Sequence, residues 1–248
     1  MNRSRRDVLL AGLAALALPG CATSTGLSRS GNDRPGPIWP EDLKRPTPAP
    51  GNAPAPGNAA TPRPVRPAAG PANVFAAAPV PGVIRRQAWT SAGLASRDID
   101  VMNGVSRLTI HHDGMEPVRL RAPRDTYARL EQIRTFHTQR RGWSDIGYHY
   151  AIDPAGRVIE GRPVVYQGAH VSDHNPHNLG VLVLGNFELQ KPGSPQLTAL
   201  ANFVKLMRRT HGISAQAVRT HQELNPTQCP GQHLQSQVVR LRGRRAFG

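Results

Sequence analysis

Apolar residues follow two regimes along the chain, and the change falls near residue 82. Beyond it, hydrophobic positions recur with the spacings of regular structure. Arg107 to His111 (RLTIH) reads as a strand, and Tyr148 to Ile152, Val158 to Glu160 and Leu179 to Leu184 read as three more. The last of these is a nearly continuous apolar run, the pattern of a strand covered on both faces. Pro123 to Arg141 places Tyr127, Leu130, Ile133 and Phe136 on one helical face. A second helix is expected from Ser194 as its cap, with Pro195 in the first turn, to Gly212, burying Leu197, Leu200, Val204 and Met207. Ala217 to Thr220 reads as a short final strand and Gln232 to Arg242 as a final helix. Strands and helices intermixed from 83 to 248 predict a single α/β domain, with helices flanking a central mixed β-sheet.

Before Val83 that patterning is lost. From about Leu27 to Pro81 the residues are mainly Pro, Ala, Gly and Asn, as in RPTPAPGNAPAPGNAATPRPVRPAAGPA. Such a stretch buries too little apolar surface to offset chain entropy. Residues 21–82 are therefore expected to form a disordered, partly polyproline-II tether, rising about 3.1 Å per residue where extended. The opening, MNRSRRDVLLAGLAALALPGCATS, differs again. Arg3, Arg5 and Arg6 precede an apolar stretch, Val8 to Leu18, that is too short for a permanent membrane span, so residues 1–20 read as an export signal. The stretch SRRDVLL (4–10) resembles a twin-arginine motif, with ordinary Sec export the alternative, and Leu18-Pro19-Gly20-Cys21 resembles a bacterial lipobox. Acylation at Cys21 would tie the domain to a membrane. Ala22 stands where an aspartate would retain a lipoprotein at the inner membrane, which points to a periplasmic, lipid-anchored protein of the outer membrane.

Charge narrows the partner less than the signal does. Lys+Arg 31 against Asp+Glu 16 gives +15, and the part from 83 onward carries +10 of it. A basic protein suits nucleic acid, an anionic lipid surface or an acidic wall polymer, and charge does not choose among them. The chain has no recognition-helix motif, aromatic RNA-binding signature or metal-knuckle spacing. Export, too, argues against a nucleic-acid partner.

With Cys21 assigned to lipid, Cys229 has no disulfide partner, which is unusual in an exported protein. It lies eight residues after His221 in THQELNPTQCPG, a polar loop. His111 ends the first long strand and His221 follows the last, and sites in open α/β sheets gather at strand ends along one edge. Two imidazoles and a thiolate form a donor set that zinc prefers and leave one tetrahedral position open, as catalytic sites do. The competing reading makes Cys229 a small buried hydrophobe.

The local words carry more than the spacing. LTIHH (108–112), GWSDIGYHY (142–150), GAH (168–170) with Asn175, LGV (179–181), GNF (185–187), His221 and TQCPG (227–231) stand in the order of one family. From Val83 to Leu241 the chain resembles the zinc-dependent N-acetylmuramoyl-L-alanine amidases of the phage-lysozyme and peptidoglycan-recognition-protein type. The resemblance implies zinc held by His111, His221 and Cys229. It implies catalytic roles for Tyr148 and Thr227, the latter where phage enzymes carry a lysine, and substrate contacts from Trp143, Arg162, His170 and Asn175. Gly142-Trp143, with Arg162 in the EGR segment, matches members that prefer meso-diaminopimelate in the stem peptide. The implied reaction hydrolyses the amide between N-acetylmuramic acid and L-alanine, with peptidoglycan as partner and the monomer as working unit. Relatives that bind without cutting typically replace the cysteine, so Cys229 favours an enzyme over the alternative, a receptor module of the same fold. Some branches carry a glutamate on the strand matching Leu179 to Leu184. Here that strand is aliphatic, and the general base stays unassigned. Alternation places His112 and His149 away from His111 and Tyr148, while His137 is expected to pack on its helix and His174 and His177 to lie on a solvated loop.

Overall fold

The computed structural model describes residues 80–94, 99–117 and 119–248. The export signal, Cys21 and the tether up to residue 79 lie outside the described residues. In chain order the elements are β1 (Val83–Ile84), β2 (Arg107–His112), α1 (Pro123–Gln139), β3 (Tyr150–Ile152), β4 (Val158–Glu160), β5 (Asn178–Val183), α2 (Ser194–His211), β6 (Val218–Thr220) and α3 (Gln232–Gly243). The strands form one mixed sheet in the order β1-β4-β3-β5-β2-β6. Strand β2 lies between β5 and β6 and runs parallel to both, with Ile110 opposite Val181 and Thr220. Strand β3 is parallel to β5, β4 is antiparallel to β3, and β1 is parallel to β4. The carboxy ends of β5, β2 and β6 therefore share one edge.

Period-two alternation divides the core. Leu108, Ile110, Val181 and Val183 pack with Leu200, Phe203, Val204 and Met207 of α2 and with Leu234 and Val238 of α3. On the other face, Leu182 and Leu184 join Leu130 and Ile133 of α1, with Tyr148 and Ala151. Every residue of β5 is buried, as its unbroken apolar run implies. Each such aliphatic side chain contributes about 1.5–3 kcal/mol on burial.

The helices differ from the sequence reading in instructive ways. In α1 the central Leu130 and Ile133 are buried as expected, but Thr126, Arg129 and His137 complete the inner face. That face is polar because it grips the sheet by hydrogen bonds. Arg129 pairs with Asp113 at 3.0 Å, both side chains buried, and Thr126 Oγ1 donates to Asp153 Oδ2 at 2.8 Å. Helix α2 is capped by Gly193 rather than by Ser194, which is already its first residue. Buried in it are Gln196 and Phe203, while Leu197 is only partly so. Gln196 Nε2 donates to the carbonyls of Ile152 and Leu184, satisfying acceptors where two strands end. Gly212 ends α2 in the left-handed conformation, at φ 69°. Strand β1, two residues long, is too short to register as a periodic signal.

Candidate metal centre

The shared sheet edge assembles three donors. His111 sits one residue before the end of β2, on the face opposite Leu108 and Ile110, and its ring is fully buried. His221 opens the short helical turn after β6. The chain then loops outward and returns, and the Gln222 amide closes that loop by donating to the Cys229 carbonyl at 2.8 Å. The Cys229 amide donates to Thr227 Oγ1 at 3.2 Å, and the His112 amide points at Cys229 Sγ from 3.5 Å. An amide donor suits a sulfur that carries negative charge as a ligand. Gly231 closes the motif at φ 84°, packed against the Phe187 and Glu188 main chain.

One ligand atom each from His111, His221 and Cys229 lies within 4.8 Å of the others, and all three residues are buried. Cys229 Sγ is 3.6 Å from His111 Nδ1. Tetrahedral zinc with metal–sulfur and metal–nitrogen bonds of about 2.3 and 2.0–2.1 Å separates its ligands by roughly 3.6 Å, so the pair is spaced to share a small cation. Burial, and then the charges that His221, His170 and His112 would carry, hold His111 well below the usual imidazole range. Burial lowers His221 to about 4. Both rings are thus neutral at pH 7, the state in which imidazole binds metals.

The other expected residues divide into two groups. Tyr148 is buried, with its ring 5.1 Å from that of His111. Half-buried Trp143 packs 4.6 Å from the His137 ring and under the Arg141 guanidinium. Thr227, through the bond described above, holds the cysteine. Three residues expected at the substrate make hydrogen bonds within the protein. Arg162 is buried and donates to the main-chain carbonyls of Ile146, Gln167 and Asp145. Its guanidinium braces the GWSDIG segment. Asn175 Oδ1 accepts from the amides of His170 and Val171, and His170 is buried against His111.

His112 does face the opposite layer, stacking on Phe187 and accepting its amide. His137 packs as expected and also ties α1 to the residue before Tyr148, because its Nδ1 accepts the Gly147 amide at 3.0 Å. His149 Nδ1 accepts the Gly180 amide while Nε2 donates to the Tyr166 carbonyl. The sequence holds no sign of the bonds that His137 and His149 make, because each partner is a backbone group distant in the chain.

Acid should expose the state of these rings. Burial first, then Arg141 and Arg162, lowers His137 to about 3. Burial likewise lowers His149 to about 4, with its bond to Tyr166 opposing. Below an unfolded value near 6.5 the unfolded chain binds protons that these folded rings refuse, so stability falls as pH drops from about 6.5 to 4. These two rings contribute roughly 3 kcal/mol per pH unit at most in metal-free protein, and His111 and His221, lowered by the same burial, add to the fall in the same direction. Urea unfolding across that range measures it, and a flat profile would contradict the buried neutral rings.

The sequence model of the N-acetylmuramoyl-L-alanine amidases matches residues 102–232, which include all three donors. The chain belongs to this amidase family. Peptidoglycan-recognition protein SC2 of Drosophila melanogaster is 29% identical over 170 residues, covering 67% of this chain and 91% of its own. The solved structure of Drosophila PGRP-LB superposes with a TM-score of 0.58 at 26% identity, covering 63% of this chain and 92% of that one. The N-acetylmuramoyl-L-alanine amidase LysC from Clostridium intestinale shares the fold, with a TM-score of 0.53 at 22% identity over 65% of this chain and 98% of its own.

Proposed function

We propose that the protein is a zinc-dependent N-acetylmuramoyl-L-alanine amidase that cuts the amide joining the lactyl group of N-acetylmuramic acid to the L-alanine of peptidoglycan stem peptides. The observation that carries this reading is Cys229, a buried thiol at ligand distance from His111 in the His111–His221–Cys229 cluster. A receptor needs no such sulfur. His111, His221 and Cys229 would hold the metal, and the donor set, two neutral imidazoles and a sulfur faced by an amide, suits zinc. When bound, zinc supplies a Lewis acid for the amide carbonyl and lowers the pKa of water toward neutrality. Strand β5, Asn178–Val183, carries no carboxylate that could act as a base. Tyr148, set beside His111 by the segment that His137 anchors, is the side chain to orient water and donate a hydrogen bond to the developing oxyanion. A Tyr148→Phe enzyme is expected to lose about 10²-fold in kcat with its zinc content unchanged, and an undiminished rate would remove Tyr148 from the mechanism.

The amino-terminal signal and lipobox support placement at the periplasmic face of the outer membrane through acylated Cys21, with the proline-rich tether spanning toward the wall. The mass of the mature amino-terminal peptide tests this, and an unmodified cysteine there would refute the anchor. The catalytic reading is tested on purified sacculi. Soluble stem peptides with free L-alanine amino termini and an unbroken glycan are expected, and chelation should abolish their release. Binding to sacculi without release at saturating zinc would replace the enzyme with a receptor.

A further inference from the structure

We infer that His170 is a positioning residue for the metal centre: its Nδ1 accepts the hydrogen on His111 Nε2 and so holds His111 in the tautomer whose bare Nδ1 faces Cys229. The argument begins at a backbone carbonyl. His170 Nε2 lies 3.1 Å from the Asn178 oxygen, and a carbonyl can only accept, so this nitrogen carries hydrogen. The ring is buried at 6% exposure, and an uncharged imidazole carries hydrogen on one nitrogen only. His170 Nδ1 is therefore an acceptor. It lies 3.1 Å from His111 Nε2, and the proton of that contact must belong to His111. What is left on His111 is an unprotonated Nδ1, the atom 3.6 Å from Cys229 Sγ. The Asn178 carbonyl thus sets two rings in series and aims a lone pair at the donor cluster.

The fold builds a slot for this arrangement. A Cβ on Gly168 would stand 2.4 Å from His170 Cδ2, and one on Gly180 would stand 2.5 Å from the same atom. The His170 amide is fixed by Asn175 Oδ1 at 2.9 Å. Two glycines leave room for the ring and both of its nitrogens are bonded, which fixes its orientation. Outer partners of metal-bound histidines commonly set tautomer and ring direction, and losing one weakens metal binding about 10–100-fold.

The inference rests on the cluster being a metal centre, yet the tautomer belongs to the metal-free protein, so the two can fail separately. Long-range 15N–1H spectra of metal-free, 15N-histidine-labelled mature protein should show His111 protonated at Nε2 alone. In His170→Ala the His111 ring should become a mixture of tautomers. Zinc competition against a calibrated chelator should show His170→Ala weaker by about 10–100-fold. His170→Asn, whose Oδ1 can accept where Nδ1 did, should recover most of that loss. His111 found protonated at Nδ1 in the parent overturns the inference, as do equal losses in the Ala and Asn variants or no loss in either. If the parent binds no zinc, the metal reading falls and the spectra alone still decide the role of His170.

Discussion

A Cys229→Ser protein is expected to cleave sacculi more than about 10³-fold slower than the parent while remaining folded. Losing one oxyanion donor in an enzyme costs about 10²–10³-fold. In the proposed mechanism the sulfur supports both the polarising ion and the activation of water, so its removal should exceed that range. The fold should survive because the loop that presents the sulfur is fixed by main-chain groups, the Gln222 amide on the Cys229 carbonyl and the Cys229 amide on Thr227 Oγ1. The same variant makes a calorimetric prediction. A ligand at 100 times its Kd stabilises the native state by about 2.7 kcal/mol, so zinc should raise the melting temperature of the parent and leave that of the variant nearly unmoved. A serine variant with parental rate and parental zinc response would remove Cys229 from the centre.

The second large effect is expected at Gly231. An added Cβ would sit 2.5 Å from Phe187 C, 2.7 Å from Glu188 N and 2.8 Å from Phe187 O. These are backbone atoms, which cannot swing aside as the end of a long side chain does. The residue also holds φ 84°, which a side chain disfavours. Overpacking of about 1–3 kcal/mol added to backbone strain of similar size places the loss for Gly231→Ala at about 2–6 kcal/mol. Urea unfolding of the metal-free protein reads that loss without any contribution from zinc. A loss below about 1 kcal/mol would mean the turn relaxes, and the close approach would not be what holds Cys229.

Much of the fold was legible because the sheet core is written in runs. Leu179 to Leu184 announced a doubly covered strand, and His111 and His112 could be assigned to opposite faces by alternation alone. The donor set was legible for a related reason. Both histidines fall at strand ends, and the cysteine falls in a loop short enough to return. What stayed hidden depends on contacts between distant backbone groups. Resemblance gave Arg162 to the substrate, and nothing in the sequence signals the carbonyls of Ile146, Gln167 and Asp145 that accept from it. Resemblance sent His170 to the substrate, whereas the slot between Gly168 and Gly180 sends it to His111. The Ser194 cap failed because a good capping residue beside a glycine gives two starts one position apart, and the glycine has the extended geometry at that site.

The closed loop between His221 and Cys229 bears on how such proteins diversify. Apolar packing shapes the scaffold, and the loop's return is held by bonds to the main-chain amide and carbonyl of residue 229, which do not depend on the sulfur. Under the proposed function, one codon change at that position would silence the chemistry and spare the architecture. A passage from blade to antenna would then ask for no change of scaffold.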